Sequence, residues 1–282
     1  ITSIDSRLFK ILLKDSVKVS GIHYSPPDFL RMLMYLELSR PDGDVSRWEK
    51  VLKRLTLLNK NYKLKGSNCH EIDFQRSFEE IKNLGNKNQT DIYILIKQTL
   101  IDQDVIFFGG YATSLYSHYM PKKLRSKLHN IPDFDVLSKN PEETAKIVKD
   151  RLMFDDIKHV SIHKHEGVGE IIAPHYYIQV GKDAVAFIYE PLACHSYNII
   201  KERGENIKIA TIDTMLSFYL SFMYSNKPYY DKNRLLCMSE YLFKVQARNR
   251  LQQKGLLKRF SINCFGNQKT LEEVRSEKTN MY

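Results

Sequence analysis

Hydrophobic positions along the chain fall into stretches of two different periods, and these predict its elements. Residues 7–22, RLFKILLKDSVKVSGI, are rich in apolar and β-branched residues broken by Lys14, Asp15 and Ser16, which predicts a hairpin. FLRMLMYLELS then stays apolar until Arg40 and Pro41, and Asp28, behind Pro26 and Pro27, is the expected N-cap of a helix. From Ser46 to Asn59, Trp48, Val51, Leu52, Leu55 and Leu58 recur at helical spacing, with Arg47, Lys50, Lys53 and Arg54 on other faces. Residues 61–89 are polar and interrupted by Gly66 and Gly85, and they read as a linker with a short helix around Phe74 to Leu84.

Beyond Asp91 the pattern becomes α/β. IYILIKQTLI reads as a helix, VIFF (105–108) as a buried strand, and YATSLYSHYM as a helix that begins directly after two glycines. FDVLS is a second strand. Asn140, Pro141 and Glu143 fit the N-cap, N1 and N3 positions of a helix reaching about Leu152. HVSIHKH (159–165), HYYIQV (175–180) and AVAFIYE (184–190) are further strands, the last two joined by the turn Gly181-Lys182-Asp183. The rest is helical: Asp213 is the expected cap of TMLSFYLSFMY, Pro228 its end, and DKNRLLCMSEYLFKVQARNRL a second helix with a basic last turn. Residues 254–282 are Lys-rich and read as mobile. The implied fold class is α+β, a mixed sheet with helices and flanking helical segments. Its regions are an N-terminal strand and helix domain (1–89), an α/β domain (90–212) and a C-terminal helical region (213–282).

A weak repeat crosses these regions. VKVSGI, FLRMLMYLEL, Pro41 and a basic amphipathic helix match IKIATI, TMLSFYLSF, Pro228 and another long helix in order and length. The repeat makes residues 1–60 the tail of a degenerate second copy whose front half would precede Ile1, and the missing initiator Met reads as a fragment. Chance recurrence of so common an order stays open.

The formal charge of +10 adds an expected polyanionic partner. No apolar stretch approaches the ~20 residues that span a bilayer. Cys69, Cys194, Cys237 and Cys264 are scattered, without CxxC spacing, and read as reduced thiols of a cytoplasmic protein.

Chemistry concentrates in VIFFGGYATSLYSHYM and IPDFDVLS. A strand that ends in Gly109-Gly110 and turns into a helix presents unhindered N–H groups at a positive terminus, a place for phosphates. A plain tight turn accounts for the glycines equally well. Asp133 and Asp135, two apart on the next strand, face the same way while Phe134 and Val136 enter the core. Two adjacent carboxylates need a cation, and hard divalent ions bind through one or two carboxylates plus substrate phosphates.

Together these segments resemble the nucleotidyltransferase superfamily, of DNA polymerase β-like fold. FFGGYATSLY, PDFDVLS and VAFIYEP are similar to the poly(A) polymerase catalytic subunits of large nucleocytoplasmic DNA viruses of the poxvirus, asfarvirus and giant-virus group, over roughly residues 100–225. The resemblance implies that Gly109 and Gly110 support the phosphates of ATP. It also implies that Asp133 and Asp135 ligate Mg²⁺ or Mn²⁺ while an RNA 3′-hydroxyl attacks the α-phosphate. Viral cytoplasm, a homodimer or a processivity partner are further expectations of it. One position departs: where the family carries a third carboxylate, this chain has Phe187. Asp183 and Glu190 are the nearest substitutes, and strand parity or position disfavours each.

Lys122, Lys123, Arg125 and Lys127, between the two motifs, are candidate RNA or pyrophosphate contacts, with a solvated basic loop as the plain alternative. Tyr176, Tyr177, Tyr189, Tyr197, Tyr229 and Tyr230 are candidates for stacking on bases, or ordinary core and rim residues. His163, His165 and His175 lack the further ligand a zinc site needs and read as strand residues. Three functions remain open: template-independent polyadenylation, an inactive RNA-binding scaffold of the same fold, and nucleotidyl transfer to a small molecule or tRNA.

Overall fold

The computed structural model describes residues 6–74, 89–122, 125, 132–169, 171–202, 204–225 and 230–279. Its first part contains α1 (Ser6–Asp15), β1 (Val17–Val19), β2 (Ile22–Tyr24), α2 (Pro27–Leu38) and α3 (Trp48–Asn61). Then come α4 (Gln89–Asp102), β3 (Ile106–Phe108), α5 (Gly109–Ser117), β4 (Phe134–Leu137), α6 (Pro141–Phe154), β5 (Val160–His165), β6 (His175–Val180) and β7 (Asp183–Tyr189). The remainder contains β8 (His195–Glu202), β9 (Glu205–Ala210), α7 (Ile212–Phe222), α8 (Lys232–Arg248), β10 (Cys264–Phe265) and α9 (Leu271–Thr279).

Eight strands form one mixed sheet in the order β10-β8-β9-β3-β4-β7-β6-β5. The β3–β9 and β4–β7 pairs are parallel and the others antiparallel. β3 is apolar throughout, and β4 is apolar apart from Asp135, because helices cover both faces. Phe107 points one way, against Tyr111 and Phe134, and Phe134 stacks on Tyr93 of α4 at 4.8 Å. Phe108 points the other way, onto Phe218 of α7 at 5.0 Å. α6 packs beside α4 and on β5, β6 and β7, whereas α7 lies between the sheet and α2, with α8 also against it. Sandwiched so, α7 buries every residue except Phe218. Its serines satisfy themselves along the helix, Ser217 Oγ donating to Thr214 O and Ser221 Oγ to Ser217 O, both at 2.7 Å.

Several local expectations change. Residues 6–15 are helical, with Leu8 and Leu12 one turn apart on the buried face. The hairpin therefore starts later, and its two-residue loop is Ser20-Gly21, both at positive φ (49° and 81°), as a primed turn requires. Asp28 sits in the first turn of α2 behind Pro26. Thr211, not Asp213, caps α7, its side chain accepting from Thr214 N at 3.2 Å. Asp213 is fully buried, with Gln246 Nε2 at 3.1 Å and Arg259 at 3.7 Å, and burial raises its pKa above the usual carboxylate range.

β8 has no clean alternation because its inward residues are polar. Ser196 Oγ meets Thr211 Oγ1 at 2.7 Å, and Asn198 donates to the Leu256 and Lys258 carbonyls. The C-terminal segment contributes β10 and α9. The short helix expected near Phe74 to Leu84 lies almost wholly outside the described residues, as does Pro228. The cysteines, expected as free thiols, are paired: Cys69 with Cys237, and Cys194 with Cys264. Partners 168 and 70 residues apart leave no trace in local spacing.

Candidate active site

β3 and β4 run antiparallel, so the end of one meets the start of the other. Phe108 pairs with Asp135, and the chain then turns at Gly109 into α5. Gly109 has φ +64°, and a Cβ there would collide with the Asp135 carboxylate. A Cβ on Gly110 would lie 3.0 Å from Pro132 Cβ and 3.9 Å from Asp133 Oδ1. Glycine is thus needed here both for backbone conformation and to let a carboxylate lie directly against the start of a helix.

Thr113 Oγ1 donates to Gly109 O at 2.8 Å. With that proton used, the Tyr219 hydroxyl, 3.1 Å away, is the donor to Thr113. Burial raises the Tyr219 pKa, and Asp135 and Asp133 push it up further, so the hydroxyl stays protonated and able to donate. The turn is therefore tied to α7 from beneath.

Asp133, Asp135 and Gly110 line one half-open cleft. Asp133 is nearly buried at 7% exposure, Asp135 is half-buried, and the intervening Phe134 is buried on the other side of the sheet. The side-chain parity expected from D-x-D therefore holds. Aromatic rings supply much of the rest: Phe74, Phe187, Tyr189, Tyr219, Phe222 and Tyr230. Phe222 and Tyr230 stack at 4.6 Å, and the Tyr189 and Tyr230 hydroxyls meet at 2.8 Å. Tyr176, Tyr177 and Tyr197 do not line the cleft, and Tyr229 is outside the described residues.

Arg234 of α8 is the cation among the described residues that line the cleft, and spacing along the sequence gave no hint of it. Its guanidinium donates to the carbonyls of Asp73 (3.2 Å) and Phe74 (2.8 Å), which fixes the segment bearing Phe74. The same segment is held to α8 by the Cys69–Cys237 pair and by a reciprocal bond between Ser67 and Asn233. Gly66 makes the approach possible, since a Cβ there would run into both sulfurs.

Phe187 occupies the position expected. It pairs in register with Asp135 across the parallel β4–β7 ladder, lines the cleft and stacks on Tyr177 at 5.7 Å. Asp183 pairs with Val180 at the far end of β7, and Glu190 is exposed beyond its other end; neither lines the cleft. Among the described residues the cleft thus holds two carboxylates, both hard oxygen donors on one face. That set fits a Mg²⁺ or Mn²⁺ ion whose remaining ligands come from substrate phosphates and water.

Of the four basic loop candidates, Lys122 is exposed, whereas Arg125 donates to the carbonyls of Met120 and His118, both at 2.8 Å, and so folds the loop after α5. Lys123 and Lys127 lie outside the described residues. His163 stacks on Tyr177 and His165 on His175. Among the described residues the one three-way cluster of potential ligand atoms is Asp42, Cys194 and Cys264, and its two sulfurs are paired with each other.

This is a nucleotidyltransferase fold. It matches the crystal structure of the Megavirus polyadenylate synthase with a TM-score of 0.74 and 16% sequence identity, over 100% of this chain and 57% of that one. The chain therefore spans a little over half the length of that protein. A much looser likeness, TM-score 0.29 at 14% identity, covers 59% of this chain and 100% of ANT(2")-Ia, solved in complex with adenylyl-2"-tobramycin. No family model and no curated protein matches the sequence.

Proposed function

We propose that this chain transfers AMP from ATP to an RNA 3′-hydroxyl without a template. The observation that carries the reading is Asp133 and Asp135 set against the Gly109-Gly110 turn at the start of α5, in a fold shared with a polyadenylate synthase. In this reading the 3′-oxygen forms a bond to the α-phosphorus of ATP, the bond to the bridging oxygen breaks, and pyrophosphate leaves. Asp133 and Asp135 would hold Mg²⁺ or Mn²⁺, which neutralises triphosphate charge and lowers the pKa of the attacking hydroxyl when bound. The N–H groups of the glycine turn and the positive end of α5 would face the phosphates. Tyr219, through Thr113, keeps that turn rigid, and rigid dipoles stabilise developing charge without reorganising. The stacked Phe222–Tyr230 pair offers an aromatic face for a base.

The test is incubation with labelled oligo(A) RNA, each NTP separately, and Mg²⁺ or Mn²⁺. A ladder with ATP that disappears in Asp133→Ala is the expected result. No extension with any nucleotide, RNA binding being retained, overturns it in favour of a second reading. That reading, an inactive RNA-binding protein of the same fold, draws its support from Phe187, which can neither ligate a metal nor accept a proton. Against it stands the pair of carboxylates, whose mutual repulsion a scaffold has no need to maintain.

A further inference from the structure

A second groove lies between α3 and the C-terminal half of α8. Its walls include Thr56, Asn59 and Lys60 from α3, Phe243, Gln246 and Ala247 from α8, and Arg250 and Arg259 just beyond, around a volume of about 300 Å³. Three cations and no carboxylate line it among the described residues. Arg259 is largely buried and leans toward Asp213 beneath the floor, at 3.7 Å. Lys60 and Arg250 are exposed, and neither side chain has an ion-pair or hydrogen-bond partner among the described residues. A one-signed groove with uncompensated cations on opposite walls attracts a polyanion.

The groove and the cleft share α8, which Arg234 and Met238 join to the cleft and Phe243 and Ala247 to the groove from the other side of the helix. Leu235 lines the cleft and Gln246 the groove. Eleven residues apart on α8, they lie three turns along the same face, at roughly 16 Å. A stacked strand rising about 3.4 Å per nucleotide needs on the order of five nucleotides to cover that distance.

We infer that this groove holds the phosphate backbone of the RNA upstream of its 3′ end, with Lys60 and Arg250 as the phosphate contacts. The inference rests on the reading of the cleft as the place where that end is extended. Neither residue touches the cleft, so each acts on RNA retention and leaves the chemistry alone.

The experiment compares the full chain with a Lys60→Ala/Arg250→Ala variant and with Lys60→Arg/Arg250→Lys, which keeps both charges. Affinity for a labelled single-stranded oligoribonucleotide of about fifteen nucleotides is measured across a salt series. Each phosphate contact on a single strand contributes about 0.7 to the slope of log K against log salt, so the alanine variant should lose about 1.4 from that slope. The charge-preserving variant should lose nothing. In extension assays the alanine variant should raise KM for the long primer and leave a trinucleotide primer unchanged, since the latter is too short to reach. An unchanged slope, or an equal loss on both primers, overturns the inference. Failure of the wild type to extend any primer, with the slope change present, removes the transfer reading and leaves the groove. Extension with an unchanged slope does the reverse.

Discussion

Two helical pairs in this molecule share an order of elements and differ in what they do. α2 and α3 follow a strand ending near Tyr24, and α7 and α8 follow one ending at Ala210. The leading strands look alike as VKVSGI and IKIATI, yet β1 and β2 form an exposed two-stranded ribbon while β9 enters the sheet with Ile207, Ile209 and Ala210 buried. α7 then lies on the sheet and α2 lies on α7, one layer further out. Only the inner pair reaches the cleft, with Tyr219, Phe222, Arg234, Leu235 and Met238. The outer pair supplies α8 with the opposite wall of the basic groove. Nearness to the strand ends, not local sequence character, decides which pair lines the cleft.

Substitutions at the cleft should then change turnover, and substitutions among the buried contacts of the outer pair should change stability. The largest effect is expected at the strand ends that the inner pair covers. Asp135→Ala should reduce AMP transfer by ~10²–10³-fold, the scale of removing one electrostatic group from a catalytic site, with the thermal midpoint little changed. Arg31→Met probes the outer pair. The Arg31 side chain is 1% exposed and bonds Asn59 Oδ1 at 2.7 Å, Asp28 and the Tyr62 carbonyl, tying α2 to the end of α3. Breaking this buried set should cost about 3 kcal/mol in urea unfolding. The specific activity of the remaining folded protein should be preserved; a loss of kcat would dissolve the contrast.

A smaller change is expected from Tyr230→Ala, which removes one ring of the Phe222–Tyr230 stack. Stacking on a base is worth about 1–3 kcal/mol, so KM for ATP should rise about tenfold or more while affinity for RNA holds. Loss of RNA affinity instead would move the base site elsewhere.

The seam between the pairs gives the smallest effect. His195, at the start of β8, packs on Phe218 of α7 and beside Arg40, which follows α2, with Glu190 lining the same pocket. Burial, with help from Arg40, lowers its pKa to about 3. Below 6.5 the unfolded chain binds the proton that the folded one refuses, so this stability is complete above that pH and is lost as pH falls. Each unit below 6.5 should cost on the order of 1.4 kcal/mol, until about pH 3. Comparing the wild type with His195→Gln by urea unfolding at pH 7 and pH 5 isolates the contribution, and parallel curves would refute it.

Legibility in the sequence followed the same layering. β3, β4 and the glycine turn were readable because a fully buried strand, a turn that only glycine permits and a D-x-D parity each constrain local sequence. Phe187 was singled out by the family resemblance alone, and the structure sets it in register with Asp135 on the neighbouring strand. α1 was misread as strand because ten residues hold only two buried positions, and the polar break at Lys14 to Ser16 was the end of a helix. β8 escaped because it points Ser196 and Asn198 inward, where distant carbonyls and hydroxyls satisfy them. Arg234 and Phe74 escaped for a related reason. They become cleft residues only through a segment docked on α8 from more than 150 residues away, and no period or motif encodes such a contact.

That docked segment also has a chemical handle. Phe74, one wall of the cleft, hangs on hydrogen bonds to Arg234 and Asn233 and on the sulfur bridge between Cys69 and Cys237. A reductant cuts the covalent tie and leaves the hydrogen bonds. Air-oxidised and thiol-treated preparations should therefore differ in how firmly this wall is held, which comparing their activities side by side would show.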